Sequence, residues 1–277
     1  MIARVAQLTD PHIVSAGSTY FGVDTAKYLG AALAAVHALE PLPSYIVVTG
    51  DLVNFGTADQ YARFAELMRA SPLPYFVVPG NHDDRDRLRE TLPPESFGGS
   101  RDERVRYAID EFPIRLVGLD LNSKRPWPGA VADRASLAWL DDTLNAAPGK
   151  ATIVAVHQPP FRTGLHYLDL GGFVGKTRLR SVVDRHANVR AVISGHIHCT
   201  RSKRWKRALA SSAPSTAPQI IPLLFMQGRV LGVSHERPGF AIHDLLDDHS
   251  LQRTVYRLDD AGTYAAVSPI IVSRPQQ

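Results

Sequence analysis

Five short segments of this chain carry side chains that bind cations or move protons. They are Asp10-Pro11-His12, Gly50-Asp51, Gly80-Asn81-His82-Asp83, His157 and Gly195-His196-Ile197-His198. Asp-x-His and His-x-His put two side chains on one side of an extended segment, a spacing that suits two ligands on shared metal ions. One Asp or His at a strand end usually caps a turn. Five such ends, each beside Gly or Pro, point instead to a common site. Gly50, Gly80 and Gly195 let the backbone turn sharply there.

The elements that must position these groups follow from periodicity. Short apolar stretches at Ile2–Leu8, Tyr45–Thr49, Tyr75–Val78, Ile114–Leu121, Thr152–Val156 and Ala191–Ser194 read as strands. Between them, Asp24 can cap a helix with Leu29, Leu33, Val36 and Leu39 on one face, and Thr57–Arg69, Arg134–Leu144 and Lys176–Arg185 read as further helices. The βαβαβ alternation predicts an α/β sheet with helices on both faces. Open α/β sheets bind ligands beyond the carboxyl ends of their strands, so residues distant in sequence are expected to meet there. After residue 200 the character changes. Trp205–Leu209, Gln219–Phe225, Gly239–Leu245 and Gln252–Leu258 read as antiparallel strands completing a second sheet within a single domain, residues 1–277.

The ordered set of five blocks resembles the signature of the calcineurin-like metallophosphoesterases. The narrower resemblance is to bacterial class III cyclic nucleotide phosphodiesterases and glycerophosphodiesterases. It extends to Gly22-Val23-Asp24, Leu119-Asp120, Pro214-Ser215-Thr216 and Pro238-Gly239-Phe240. It implies an αββα fold, a two-sheet β-sandwich flanked by helices. It also implies two divalent transition-metal ions (Fe, Mn or Zn). Asp10, His12, Asp51 and His198 would hold the first, and Asn81, His157 and His196 the second, with Asp51 bridging. The implied reaction is hydrolysis of a small phosphodiester, such as a 3',5'-cyclic nucleotide, by in-line attack of a metal-bridging hydroxide. Two other readings are a glycerophosphodiesterase or promiscuous phosphatase, and a non-catalytic metal-binding scaffold. The scaffold is disfavoured because no ligand position is degraded.

These residue types suit the chemistry. Two divalent ions, two carboxylates and one hydroxide leave a single formal positive charge facing an anionic substrate, and neutral imidazoles keep the ions acidic enough to deprotonate water near neutrality. His82 follows Asn81 directly and is expected to donate to a phosphate oxygen or to the leaving alkoxide. Asp83 would either orient an imidazole or act as a helix N-terminal carboxylate. Within the superfamily, Asp51-Leu52-Val53-Asn54 lacks the Asp-Arg-Gly of protein Ser/Thr phosphatases, and Asn54 stands where purple acid phosphatases carry a Tyr ligand. Some relatives have a His before the Gln of the Ser215-Thr216-Ala217-Pro218-Gln219 loop; this chain has Pro218.

Composition bounds the rest. The chain has 277 residues, a net charge of +4 and a single cysteine. The charge is too small to imply a nucleic-acid partner, and Cys199 alone excludes an intrachain disulfide or a Cys-based zinc cluster. No apolar run reaches membrane-spanning length and Met1–Thr9 does not read as a signal peptide, so a cytoplasmic protein is expected. Self-association is expected by analogy only. Gly171-Gly172-Phe173-Val174-Gly175-Lys176-Thr177 looks like a phosphate-binding loop, but Leu170 stands where that motif needs Gly. The segment is instead expected to begin a helix or line the substrate pocket. The basic run around Trp205 reads as a solvated strand edge, Cys199 as a small buried side chain, and Trp127 as a lid or a base-stacking residue.

Overall fold

A computed structural model of the chain describes residues 1–125, 127–170, 172–217, 219–226, 229–259 and 262–273, with backbone alone for 166–167, 219–236 and 267–273. Pro126, Gly171 and Pro218, which belong to the loops singled out above, lie outside the described residues, as do the side chains of His166 and His235.

The first third of the chain runs β1 (Ala3–Leu8), α1 (Thr25–His37), β2 (Tyr45–Val48), α2 (Ala58–Arg69), β3 (Tyr75–Val77), α3 (Arg85–Thr91) and β4 (Arg106–Ile109). Next come β5 (Arg115–Leu119), β6 (Ala130–Val131), α4 (Arg134–Asn145), β7 (Thr152–Ala155), α5 (His166–Leu170), β8 (Phe173–Val174), α6 (Lys176–Val183) and β9 (Val189–Ser194). The rest is strand: β10 (Arg201–Arg204), β11 (Leu209–Ser212), β12 (Gln219–Met226), β13 (Arg229–Glu236), β14 (Gly239–Leu245), β15 (Leu251–Leu258) and β16 (Tyr264–Ser273).

Two six-stranded sheets result, ordered β16-β15-β14-β1-β2-β3 and β10-β11-β9-β7-β5-β4. The first has a parallel half, β1-β2-β3, that ends at the edge strand β3, and an antiparallel half; the second has a parallel centre, β11-β9-β7-β5, with an antiparallel strand on each side. Side-chain alternation builds the layers. Ile153 and Ala155 of β7 and Ala191 and Ile193 of β9 join the core that holds the first sheet, α1 and α2. Val154 and Val192, one residue out of phase, face Leu137, Leu140 and Leu144 of α4 and Leu179, Val182 and Val183 of α6. This is the helix-flanked two-sheet α/β fold. Among the described residues no helix is long and apolar enough to cross a membrane.

The strands after residue 200 depart from expectation in one respect. They do not complete one sheet. β10 and β11 enlarge the second sheet, with β11 parallel to β9, β14–β16 extend the first, and β12–β13 form a separate two-stranded ribbon. Trp205–Leu209 is not a strand: β10 ends at Arg204, and buried Trp205 begins the turn into β11. The strand signal was misread because β10 is fully exposed and all polar, an edge strand of the sort that lysine and arginine protect from further pairing.

One polar chain crosses the apolar interior. Gln7 on β1 donates through Nε2 to Thr49 Oγ1 at 3.1 Å and to the Ser194 carbonyl at 3.0 Å, and its Oε1 accepts from His243 Nε2 at 3.0 Å. Gln7 thereby ties the ends of β2 and β9 together across the sandwich. Burial, reinforced by the charge of Arg253, pushes His243 down to about 3 from its ordinary 6.5. Below pH 6.5 the unfolded chain binds a proton here that the folded chain refuses, so stability falls as pH drops through this window. His243→Gln is expected to reduce the pH slope of the unfolding free energy between about pH 6 and pH 4 by up to about 1.4 kcal/mol per unit, measured by urea denaturation. An unchanged slope would show that His243 does not control it.

Candidate metal centre

The parallel strands deliver their carboxyl ends to one edge of the sandwich. Asp10 follows β1, Asp51 follows β2, Asn81 follows β3, His157 follows β7, and His196 and His198 follow β9. All seven sequence-predicted ligand residues meet there. One oxygen or nitrogen from each of Asp10, His12, Asp51 and His198 lies within 4.8 Å of the others, and the same holds for Asp51, His157 and His196. Asn81 Oδ1 stands 3.0 Å from His157 Nε2, beside the second group. Asp10, His12, Asp51 and His157 are buried, whereas Asn81 is exposed and His196 and His198 are half-buried.

The turns that aim these groups are strained. Asp10, His12, Asp51, His196 and His198 all have positive φ, between 44° and 69°. Among the described non-glycine residues only Phe21 and His249 share that conformation. It costs of order 1–3 kcal/mol per residue and persists where the surroundings over-determine it. Backbone bonds do so here: Asp10 N donates to Gly50 O, His12 N to Asp51 O, and Gly195 N to His157 O. Gly50, at φ +95°, does turn sharply, and any Cβ on it would strike the His157 ring. Gly195 serves differently. Its φ is ordinary, but a Cβ would collide with Thr9 and the Asp10 carboxylate.

The donor atoms fit cations. His157 Nδ1 donates to Thr49 O at 2.9 Å, so in the neutral ring Nε2 keeps its lone pair. That lone pair faces Asp51 Oδ2 at 3.3 Å, Asn81 Oδ1 at 3.0 Å and His196 Nδ1 at 3.3 Å. Likewise His12 Nε2 and His198 Nε2 lie 3.2 Å apart, with Asp51 Oδ2 3.6 Å from the former and Asp10 Oδ1 3.5 Å from the latter. Acceptor facing acceptor in a buried space needs a positive charge between them.

The protein's own charges show the same demand. Burial opposes ionisation of Asp51 and Asp10, yet the neighbouring histidines outweigh it and hold both carboxyls below their usual range. Burial would lower His157, but the Asp51 charge and hydrogen bond lift it to about 9, so it takes up a proton where a cation would otherwise sit. His12 and His196 go the other way: burial dominates and pushes each to about 3, keeping the rings neutral and able to ligate.

His82 sits at the mouth of this cluster, exposed, with its ring 4.7 Å from that of His12 and perpendicular to it. Its backbone N donates to Asp51 Oδ1 at 2.9 Å and its Nδ1 to Asn54 O at 2.8 Å, which leaves Nε2 for other partners. Asp83 serves neither expected use through its hydrogen bonds. The N-cap of α3 is Asp84. Asp83 accepts from Leu52 N (3.1 Å), Val53 N (3.4 Å), Gly80 N (2.7 Å) and Tyr61 OH (2.9 Å), stitching the Asp51 turn to the Asn81 turn.

Several supporting residues went unassigned at the sequence level. Tyr20 stacks on His12 with ring centroids 5.0 Å apart. Nothing in its neighbourhood signals that contact. Ser215, part of a segment that carried the resemblance, donates to Asp10 O at 2.7 Å, and Thr216 N donates to Thr9 O at 3.1 Å, so this loop clamps the Asp10 turn. Asp120, at the end of β5, is fully buried and pairs with Arg85 through two oxygens. Asn122 donates from there to Pro79 O, bracing the strand end that carries Asn81. Trp127 is exposed and donates to Leu170 O at 3.2 Å, bridging two loops as a cover would. Cys199 is buried beside Ile197, as expected.

Fold and cluster together define a metallophosphoesterase. Residues 3–200 match the calcineurin-like phosphoesterase family, and the chain belongs to it. It is 30% identical over 218 residues to a probable glycerophosphodiester phosphodiesterase of Arcobacter nitrofigilis, covering 78% of this chain and 79% of the relative. It is 27% identical over 258 residues to the 3',5'-cyclic adenosine monophosphate phosphodiesterase of Escherichia coli strain K12, covering 93% and 90%. Among solved structures, a dimetal phosphatase from Danio rerio shares the fold, with a TM-score of 0.66 at 14% identity over 99% of each chain. The protein is a metal-dependent phosphodiester hydrolase of this family.

Gly50→Ala is expected to cost at least about 2 kcal/mol and to weaken Mn or Zn binding, because the new Cβ displaces His157 from a position that φ already disfavours. Gly149→Ala, where a Cβ meets nothing, is the control. Denaturation and metal titration check both, and equal behaviour of the two variants would contradict the packing argument.

Proposed function

We propose that the chain hydrolyses small phosphodiesters such as 3',5'-cyclic nucleotides at a centre of two divalent transition-metal ions. Asp10, His12, Asp51 and His198 would hold one, and Asp51, Asn81, His157 and His196 the other. The observation that carries this reading is the pair of overlapping donor groups that share Asp51. A donor set of four imidazoles, two carboxylates and one amide suits Fe, Mn or Zn. When bound, two such ions supply Lewis acidity toward the phosphate oxygens and lower the pKa of a water. The 277 residues are proposed to act as one domain in the cytoplasm, where substrates of this class occur.

The chain's own groups have distinct tasks. Thr49 O fixes the His157 tautomer, so that its Nε2 points into the cluster. Asp51 keeps Oδ1 on His82 N and turns Oδ2 toward both donor groups. His82, held through Nδ1 by Asn54 O, presents Nε2 at the mouth, where it can protonate the departing alkoxide. Asp83 acts as a positioning residue for the two turns. A glycerophosphodiester is the second substrate reading, favoured by the 30% identity to the Arcobacter relative.

Elemental analysis tests the sharing. Asp51→Asn is expected to lose both ions and Asn81→Ala only one. His82→Ala is expected to keep both while turnover falls roughly 10²- to 10⁴-fold; Asp83→Ala is expected to lose metal, because three backbone donors and a phenol are orphaned. Metal retained in Asp83→Ala, or lost in His82→Ala, would reverse those two roles.

Hydrolysis of bis(p-nitrophenyl) phosphate separates enzyme from scaffold. Activity should vanish on chelation and return with added Mn or Zn, and metal affinity should fall as pH drops below about 9, where a proton on His157 competes with the ion. A metal-loaded chain that hydrolyses no diester would be a scaffold.

A further inference from the structure

A cavity of about 600 Å³ opens directly onto the second donor group, since Asn81 and His196 line both. That volume suits a ligand of nucleotide size. Its far wall is built by the end of α5, by Phe173 on β8 and by Lys176 at the start of α6. Gly172, Phe173 and Lys176, from the segment that looked like a phosphate-binding loop, therefore line the pocket.

The charges on this wall are unbalanced. Lys124, Arg125 and Lys176 line it against a single carboxylate, Asp169. Lys124 is paired at 3.0 Å with Glu103 outside the cavity. Asp169 is fixed by the neutral donors Thr163 N (2.9 Å), Thr163 Oγ1 (3.0 Å) and Gly164 N (3.0 Å) and keeps its charge, so with Lys124 paired outside, Arg125 and Lys176 still outnumber it. Among the described residues, neither Arg125 nor Lys176 has a carboxylate within 4.0 Å. Lys176 is half-buried, with its ammonium 5.9 Å from the centroid of the Phe173 ring, a placement that fixes the cation over an apolar surface. Burial lowers its pKa, the Asp169 charge offsets this only in part, and the Arg162 charge adds to the lowering, so a further anion in the cavity would raise it. A half-buried, unpaired cation facing a ligand-sized cavity is a recognition element for an anion.

We infer that Lys176, assisted by Arg125, selects phosphodiesters whose cavity-side substituent carries a second anionic group, a phosphate or a carboxylate. The inference rests on the phosphodiesterase reading of the centre and names its substrate class. It also sets a counter-selection, because a substituent with a fixed cation, such as choline, would lie against like charge.

The test compares adenylyl-(3'→5')-adenosine with the same dinucleotide bearing a 5'-phosphate, using the metal-loaded full chain. The 5'-phosphorylated substrate is expected to have at least a tenfold higher kcat/KM. In Lys176→Met the ratio should collapse toward one, and in Lys176→Arg it should survive within about threefold. Because the readout is a ratio, a partly unfolded variant does not disturb it. Glycerophosphocholine should be a poorer substrate than glycerophosphoglycerol for the unaltered chain, and less so for Lys176→Met. A wild-type ratio near one, or a ratio unchanged in Lys176→Met, overturns the inference and leaves the phosphodiesterase reading standing. No hydrolysis of either dinucleotide or of bis(p-nitrophenyl) phosphate overturns both.

Discussion

Two carboxylates buried together need positive charge between them, and most of this structure follows from that need. Asp10 is 0% and Asp51 2% exposed. Ionised carboxylates in so dry a place are tolerable only when paired and hydrogen-bonded. Among the described residues no lysine or arginine pairs with either carboxylate; their ionic partners are imidazoles, with an amide beside them. The proton that His157 is driven to hold is one way to supply the charge. Divalent ions are a better way, because they satisfy several lone pairs at once and leave every ring neutral. The chemistry of the family and the electrostatics of the folded chain thus ask for the same thing.

Meeting that need dictates the architecture around it. Only parallel strands bring many carboxyl ends to one edge, and both sheets contain a parallel set of strands that opens there. The turns that follow must then bend back sharply to converge, and five of the ligand candidates take up left-handed backbone to do so. The strain is held by cross-turn hydrogen bonds and by glycines whose missing Cβ leaves room for a neighbour's ligand. Behind them Gln7 pins the two sheets at the level of Thr49 and Ser194, one or two residues before the ligand turns begin.

Much of this was legible in the sequence because apolar strands and Gly-flanked Asp and His turns are local signals. Tyr45–Val48 and Thr152–Ala155 are buried throughout and read as strands from composition alone. The Asp24 cap of α1 was legible for the same reason. What could not be read depends on contacts between distant segments. β10 carries no apolar residue to mark it. β14 sits in the first sheet because it pairs with β1, some 240 positions earlier, which no periodicity reveals. Asp83 reads from the sequence as an imidazole-orienting or helix N-terminal carboxylate; only the fold shows that the Leu52, Val53 and Gly80 amides and the Tyr61 hydroxyl converge on it. Tyr20 reaches the site through the loop between β1 and α1, which has no periodic pattern of its own.

The ligand turns also hold one another. His196 N donates to both oxygens of Asp10 at 3.0 Å, and His82 N donates to Oδ1 of Asp51 at 2.9 Å. Each carboxylate is therefore bonded to the backbone of a different functional turn as well as being free to face a cation. Two consequences follow. Donated hydrogen bonds draw electron density from the carboxylates, so a bound cation is neutralised less and remains a stronger acid. And the placement of His82 is coupled to the carboxylate common to both donor groups: when Asp51 moves, His82 at the mouth moves with it. A site built this way cannot lose one member quietly, because the amide that oriented it is left unsatisfied in a buried space. The cavity beyond Asn81 and His196 lies outside this mutual lock: its wall from α5, β8 and α6 makes none of the hydrogen bonds that hold Asp10 and Asp51, so side chains there can change without disturbing the ligand turns.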